Sequence, residues 1–336
     1  ELEDARRIIY ELYDAGVDAL IVQDMALLEL DLPPIALHAS TQCDNRTPEK
    51  VQFLADAGFS QVVLARELSL DTIRNIAQHT NVPLEVFVHG ALCVSYSGQC
   101  YLSAALNGRS ANRGECAQCC RLPYTLIDGN GKTIARDKHL LSLKDLNQSN
   151  RLEELIDAGA TSFKIEGRLK DVTYVKNITA YYRQELDRII ARHSDELYRA
   201  SDGVSTITFT PNPHKSFNRG FTHYFLDGRT PEPIIQPHSP KSMGEYVGTI
   251  QGVINNRAYR YNGNVELHNG DGLCYIDKEG NFHGFRINRA EGRTLHTATP
   301  QSIEKGTAIY RNSDHDFDNA LQRPTAQRHI EVEITL

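Results

Sequence analysis

DAGVDALIVQD, residues 14–24, reads as a helix end, a glycine stop and a strand without a polar face, and the phrase returns as DAGFSQVVL (56–64) and DAGATSFKI (157–165). Strands of this kind belong in a sheet covered on both faces, and strands alternating with helices join in parallel through crossovers. Working outward, the pattern predicts strands at 19–22, 35–39, 61–65, 84–88 and 162–165, with helices at 49–57, 71–78 and 172–191. Ile8, Ile9, Leu12 and Tyr13 recur at helical spacing ahead of the first strand. Five parallel strands are three short of an eight-stranded barrel, and the chain opens on Glu1 and a helix. The expected class is α/β: a partial (β/α) barrel of parallel strands whose N-terminal strands are absent from this chain. An open five-stranded sheet is the alternative.

The composition changes after residue 200. Residues 201–244 are rich in Pro, Asn, His and Ser and read as a linker packing on the barrel. From Glu245 the short runs YVGTI, NVELHNGDGLCYID, FRINRA, RTLHTAT and TAIYRN predict a small all-β barrel over 245–336, and HIEVEITL (329–336) reads as one more strand. The expected domains are therefore 1–200, with a cysteine-rich insertion at 91–124, then the linker 201–244, then the barrel 245–336. YTLIDGNGKTIARD (124–137) reads as a hairpin; a phosphate loop is excluded because its first glycine would fall on Leu126.

With 336 residues, 40% hydrophobic and 24% charged, the chain has material for two cores. No run approaches 18 apolar residues and the first segment is a charged helix, so a cytoplasmic protein without a membrane partner is expected. A net charge of −7 argues against nonspecific coating of nucleic acid, though not against a local basic patch. Nothing in the pattern sets the oligomeric state.

The chemistry concentrates after the fourth strand. Cys93, Cys100, Cys116, Cys119 and Cys120 fall within 28 residues, among Ser, Gly, Asn and Arg rather than in an apolar run, so they do not read as core residues. A disulfide framework belongs to small secreted domains. Structural zinc favours two to four residues between paired ligands, and the six between Cys93 and Cys100 fit it poorly. A 4Fe-4S cubane takes four thiolates at looser spacing in a polar wrapping, which Gly98, Gly108 and Gly114 supply. Both metals stay open on spacing, with the cluster preferred.

Ligands of parallel α/β folds collect beyond the carboxyl ends of the strands. Asp24, Ser40 and Arg66 stand there, together with the candidate catalytic residues His38, Gln42, Glu67, His89, Lys164, Glu166 and Arg168. Any one of these is as readily a helix cap or a surface pair, but a ring of them beside a thiol cluster points to a cleft. For proteolysis neither HExxH nor GxSxG occurs, leaving His89, four residues before Cys93, as a base for a thiol nucleophile.

The runs EVFVHGALCVSYSGQCYLS (85–103) and NRGECAQCCR (112–121), with HASTQ (38–42), VLARELS (63–69), FKIEGR (163–168) and FNRGFT (217–222), resemble the signature of the collagenase-like peptidase family U32 over most of residues 15–225. The resemblance implies a barrel whose early strands precede residue 1 and a 4Fe-4S cluster on Cys93, Cys100, Cys116 and Cys120, lost or replaced by zinc in aerobic preparations. Cys119 stands where relatives usually carry proline. Better understood members resemble enzymes that hydroxylate RNA bases without oxygen, giving 5-hydroxycytidine in 23S rRNA or 5-hydroxyuridine in tRNA, and the β-barrel looks more like the rRNA branch. Prephenate is implied as a co-substrate, a small dicarboxylate suited to Arg66, Lys164 and Arg168. Peptidase activity, as the family label suggests, and a non-catalytic RNA- or protein-binding module are the alternatives.

Overall fold

Three of the expected helices begin on a side-chain cap. In this computed structural model, which describes residues 1–335, Thr47 accepts from the Lys50 amide ahead of Pro48–Asp56, Ser69 from Thr72 ahead of Leu70–Ala77, and Asp171 from Tyr174 ahead of Val172–Arg192. The repeated DAG phrase ends each of its helices on a glycine of positive φ: Gly16 at 80°, Gly58 at 102° and Gly159 at 98°.

All five expected strands form, as Ala19–Val22, Ala36–Ala39, Gln61–Val63, Leu84–Ala91 and Ser162–Ile165, each parallel to its neighbour. Their order in the sheet follows their order in the chain, the winding of a (β/α) barrel rather than of a doubly wound sheet. The short strands Asp145–Asn147 and Phe221–Thr222 extend the same sheet.

By its contacts the chain forms two units. The first comprises Glu1–Arg121, Leu146–Glu166 and Thr222–Ile234. Its helices cover one sheet face through Val51, Leu54, Ile73 and Ile76, all buried. The other face carries polar groups between apolar ones: Gln61 on one strand, Glu85 with Phe87 on the next, Ser162 and Lys164 on the last, while a register shift after Phe87 sets His89 opposite Ile165. A barrel interior is filled by side chains, and here several of them are charged.

The second unit comprises Leu122–Asp145, Gly167–Phe221 and Ile235 onward. Glu245–Asn255, Ala258–Asn262, Thr294–Thr297, Phe282–Glu291, Gly272–Ile276 and Ala308–Ser313 close, in that order, into an antiparallel barrel. Its core holds Val247, Ile250, Tyr259, Tyr261, Leu273, Tyr275 and Leu295, and the hydroxyls of Tyr259 and Tyr261 donate to the carbonyls of Gln301 (2.6 Å) and Val265 (2.9 Å). Cys274, between the core residues Leu273 and Tyr275, is fully buried on the opposite face of its strand, where its thiol donates to the Met243 carbonyl at 3.4 Å. The hairpin expected at 124–137 forms from Tyr124–Ile127 and Thr133–Lys138. Val172–Arg192 is grouped with this unit and packs against His315–Leu321 and Pro213–Lys215.

One expectation shifts. The strand read at 329–336 lies earlier, as Ala326–His329, antiparallel to Val204–Ile207; residues 330–335 have no regular structure, and Leu336 lies outside the described residues. Among the described residues no helix is long and apolar enough to cross a membrane.

Candidate functional site

The site grows from the carboxyl ends of two paired strands in the first unit. The Glu166 amide donates to the His89 carbonyl at 2.8 Å. The next residue is Gly90, at φ 108°, where an added Cβ would sit 2.4 Å from the Glu166 carbonyl oxygen, so only glycine admits this approach. Glu166 thereby faces Arg66, whose Nη2 is 3.3 Å from its Oε2, and the Arg66 guanidinium lies 3.7 Å above the Phe87 ring. Two residues earlier along the strands, Glu85 accepts from Gln61 Nε2 (2.6 Å) and Ser162 Oγ (3.1 Å) and pairs with Lys164 Nζ (2.8 Å). The Lys164 amine is therefore engaged inside the sheet.

The cysteine loop docks on this base. Glu67 accepts from both the amide and the hydroxyl of Ser97 at 3.0 Å, and Thr41 Oγ1 lies 3.3 Å from Ser97 Oγ. Gly98 lies against the Gln42 carbonyl, where a Cβ would come within 2.1 Å. Farther along, the Cys100 amide donates to Asn112 Oδ1 and the Ala117 amide to Ser103 Oγ. Between loop and strand ends is a cavity of about 100 Å³ whose wall includes Gln42, Arg66, Cys93, Cys100, Asn112 and Cys116.

Burial pushes the Cys93 thiol above its ordinary pKa; the Ser95 amide and Arg66 oppose this, while Cys100 and Cys116 add to it. Burial also raises Cys120, against Arg121 and together with Cys93, Cys116 and Cys100. These four sulfurs thus share one electrostatic neighbourhood. Cys119, next in the chain, is buried and donates to Asn107 Oδ1 at 3.1 Å. Burial pulls Arg66 below the usual guanidinium range, opposed by Glu166, Cys93 and Glu67, and its Nε has no hydrogen-bond partner.

Of the sequence candidates, Gln42 lines the cavity with the thiols, Glu67 holds Ser97 of their loop, and Glu166 pairs with Arg66 on the cavity wall. His89 is 1% exposed, inside the sheet rather than open to the cavity. His38 lies within its strand, in register with Ile21 and Gln61. Arg168 is exposed and belongs to the second unit, unlike Glu166 two residues before it. Cys43 donates to the Gln23 carbonyl at 3.5 Å, as a structural thiol would. Arg121 donates to the Leu92 carbonyl and Arg113 reaches Glu1 at 3.4 Å.

Tyr224 escaped sequence reasoning. It is buried at φ 54°, and burial, with the nearby charges of Glu67, Cys93 and Tyr96, pushes its phenol up to about 12. Its signal was the continuation of FNRGFT into HYF. Tyr96 escaped notice as well; the Arg46 guanidinium stacks 4.5 Å above its ring.

A loop of clustered thiols over the strand ends of a singly wound α/β sheet marks one group of proteins. The chain belongs to peptidase family U32, whose model matches residues 1–236. It is 51% identical over its whole length to the 23S rRNA 5-hydroxycytidine C2501 synthase of Escherichia coli, covering 52% of that protein. It is 32% identical to tRNA hydroxylation protein P1 of Bacillus subtilis, over 70% of this chain and 57% of the relative, and 32% identical to a protein named Collagenase from Porphyromonas gingivalis, over 68% and 56%. The chain spans about half the length of these curated relatives.

Proposed function

We propose that this chain is the thiol-bearing part of an enzyme that hydroxylates an RNA base, a 23S rRNA cytidine ahead of a tRNA uridine, with a 4Fe-4S cluster held by Cys93, Cys100, Cys116 and Cys120. The observation that carries the cluster is the shared neighbourhood of these four thiols beside a cavity, with Cys119 engaged by Asn107. The donor set fits: Cys93, Cys100 and Cys116 stand around a cavity with Ser97, Gly98 and Asn112, the all-thiol set in a polar wrapping that a cubane takes. Bound there, the cluster would supply one-electron chemistry.

The chain's own residues set the surroundings. Arg66 holds positive charge beside Cys93 and favours the ligating thiolate. Glu67, by taking both donors of Ser97, fixes the loop between Cys93 and Cys100. Tyr224 remains a neutral phenol at neutral pH and can offer a proton near Cys93. Of the three cations suited to a dicarboxylate such as prephenate, Arg66 lines the cavity with an unpartnered Nε; Lys164 is committed to Glu85. The peptidase reading gains no comparable support, because His89, its candidate base, is buried within the sheet and does not line the cavity with Cys93.

Anaerobic purification followed by iron and sulfide analysis tests the cluster, and nucleoside mass spectrometry of rRNA and tRNA from cells lacking the gene, complemented with wild type or Cys93→Ala, tests the reaction. A stoichiometric zinc site that excludes iron would overturn the first assignment, and unchanged nucleosides the second.

A further inference from the structure

Three neighbouring strands of the closed barrel, Ala258–Asn262, Thr294–Thr297 and Phe282–Glu291, divide their residues sharply by charge. Tyr259, Leu295 and Ala290 share one row and face the core, the first two at 1% and 0% exposure. In the flanking rows Arg260 and Arg289 are exposed. Arg286 alternates with the core residues Phe285 and Ile287 and is exposed as well. Arg257 and Arg293, in the turns that lead into the first two of these strands, are both exposed.

Segments 257–262 and 282–297 thus carry five exposed arginines and one acid, Glu291, which Arg289 (3.2 Å) and His296 (3.5 Å) engage. The rest of 245–313 reverses this balance: Glu245, Glu266, Asp271, Asp277, Glu279 and Glu304 stand against Lys278, Lys305 and the buried Arg311. A chain of net charge −7 has gathered arginine on one side of its barrel.

We propose that this arginine side is a contact surface for the phosphate backbone of RNA, which rests on the RNA-modifying reading above. Three strands about 4.8 Å apart make a band roughly 10 Å wide, room for one backbone to lie along. Arginine presents a planar fork that matches phosphate oxygens, and it is used here throughout in place of lysine. None of the large exposed apolar side chains falls in these segments, which argues against an apolar protein partner and against base stacking. The surface therefore positions RNA without reading its sequence.

The test is Arg260→Gln/Arg286→Gln/Arg289→Gln in the full chain, with Lys278→Gln/Lys305→Gln as the control from the other side. Each is titrated with a 23S rRNA fragment across a salt series after its melting curve is checked against wild type. The triple variant should weaken binding at low salt by about tenfold or more and reduce the slope of log K against log salt by roughly 0.7–0.9 per arginine, while the control keeps the wild-type slope. A triple variant with the wild-type slope overturns the surface alone. Wild-type chain that binds no RNA overturns both the surface and the reading beneath it. Equal loss of binding to poly-glutamate would make this a face for an acidic protein and overturn the RNA assignment, whatever the nucleoside profiles show.

Discussion

Two arginines withdrawn from solvent, Arg311 fully and Arg66 largely, one in each unit, respond to burial in opposite ways. Arg311, in the antiparallel barrel, has a side chain 4% exposed and surrounded by Glu245 (2.5 Å), Asp314 (3.1 Å) and Asp271 (3.2 Å), with the Glu266 carbonyl at 3.1 Å. Burial pulls its pKa down, but the three carboxylates outweigh it and leave Arg311 raised. Arg66, at the end of the parallel strands, has one carboxylate at 3.3 Å and an unpartnered Nε, and burial wins. A buried charge persists when its partners are complete. Arg311 therefore reads as scaffold, and Arg66 as a group that an incoming anion would complete.

The largest effect should come from breaking the complete network. Arg311→Met leaves three carboxylates without their shared cation, and loss of one member of a buried ionic network costs on the order of 3–5 kcal/mol. Urea unfolding should report this as a lower midpoint at unchanged slope; a loss under about 1 kcal/mol would mean that the network is dispensable.

Arg66→Met should do the reverse. The Glu166 side chain keeps 27% exposure, so it can be rehydrated, and a partly exposed pair is worth about 0–1 kcal/mol. Stability should stay within about 1 kcal/mol of wild type. A charge-assisted hydrogen bond to an anionic co-substrate is worth about 1.5–3 kcal/mol, so RNA modification in complemented cells should drop by about 10- to 150-fold. Activity retained alongside a large loss of stability would erase the distinction between the two arginines.

The two units also differ in how much of them the sequence reveals. Strand and helix order is legible because its signals are local: the DAG phrase places a helix-ending glycine before each of three strands, and alternation in segments such as RTLHTAT gives away the barrel. The four thiols are legible for the same reason. What is hidden depends on chain returning from afar. Glu85 meets Lys164 only through strand register, and Tyr224 reaches the neighbourhood of Cys93 from more than a hundred residues away. Glu166 and Arg168 look like one motif, yet the boundary between the units falls between them. At the carboxyl end the more apolar run, IEVEIT, has no regular structure while AQRH forms the strand, because pairing with Val204–Ile207 decides and propensity does not.

Cys119 and Cys120 sharpen the contrast at the scale of one peptide bond. Cys119→Ala removes a buried thiol bonded to Asn107, which should cost about 1 kcal/mol and leave iron and sulfide per chain unchanged after anaerobic purification. Cys120→Ala should lose the cluster at little cost to the rest of the fold. The opposite pattern would move the fourth ligand to Cys119.

The smallest effect is on acid stability, and its sign follows from Asp314. Burial by itself raises this carboxyl, but Lys215 at 2.7 Å, the Phe317 amide and Arg311 outweigh it and hold the folded pKa below the ordinary 3.8. A carboxylate depressed in the folded state contributes stability that is fully present above its unfolded pKa and lost as pH falls through the folded value. The second unit should therefore hold its stability down to about pH 4 and lose part of it below that. Asp314→Asn should be less stable at neutral pH yet flatter through this acid window, because the group that titrates differently in the two states is gone. Unfolding free energies measured between about pH 5 and pH 2 decide the point. A variant curve as steep as wild type would place the acid sensitivity elsewhere and make Asp314 a spectator in the network that distinguishes Arg311 from Arg66.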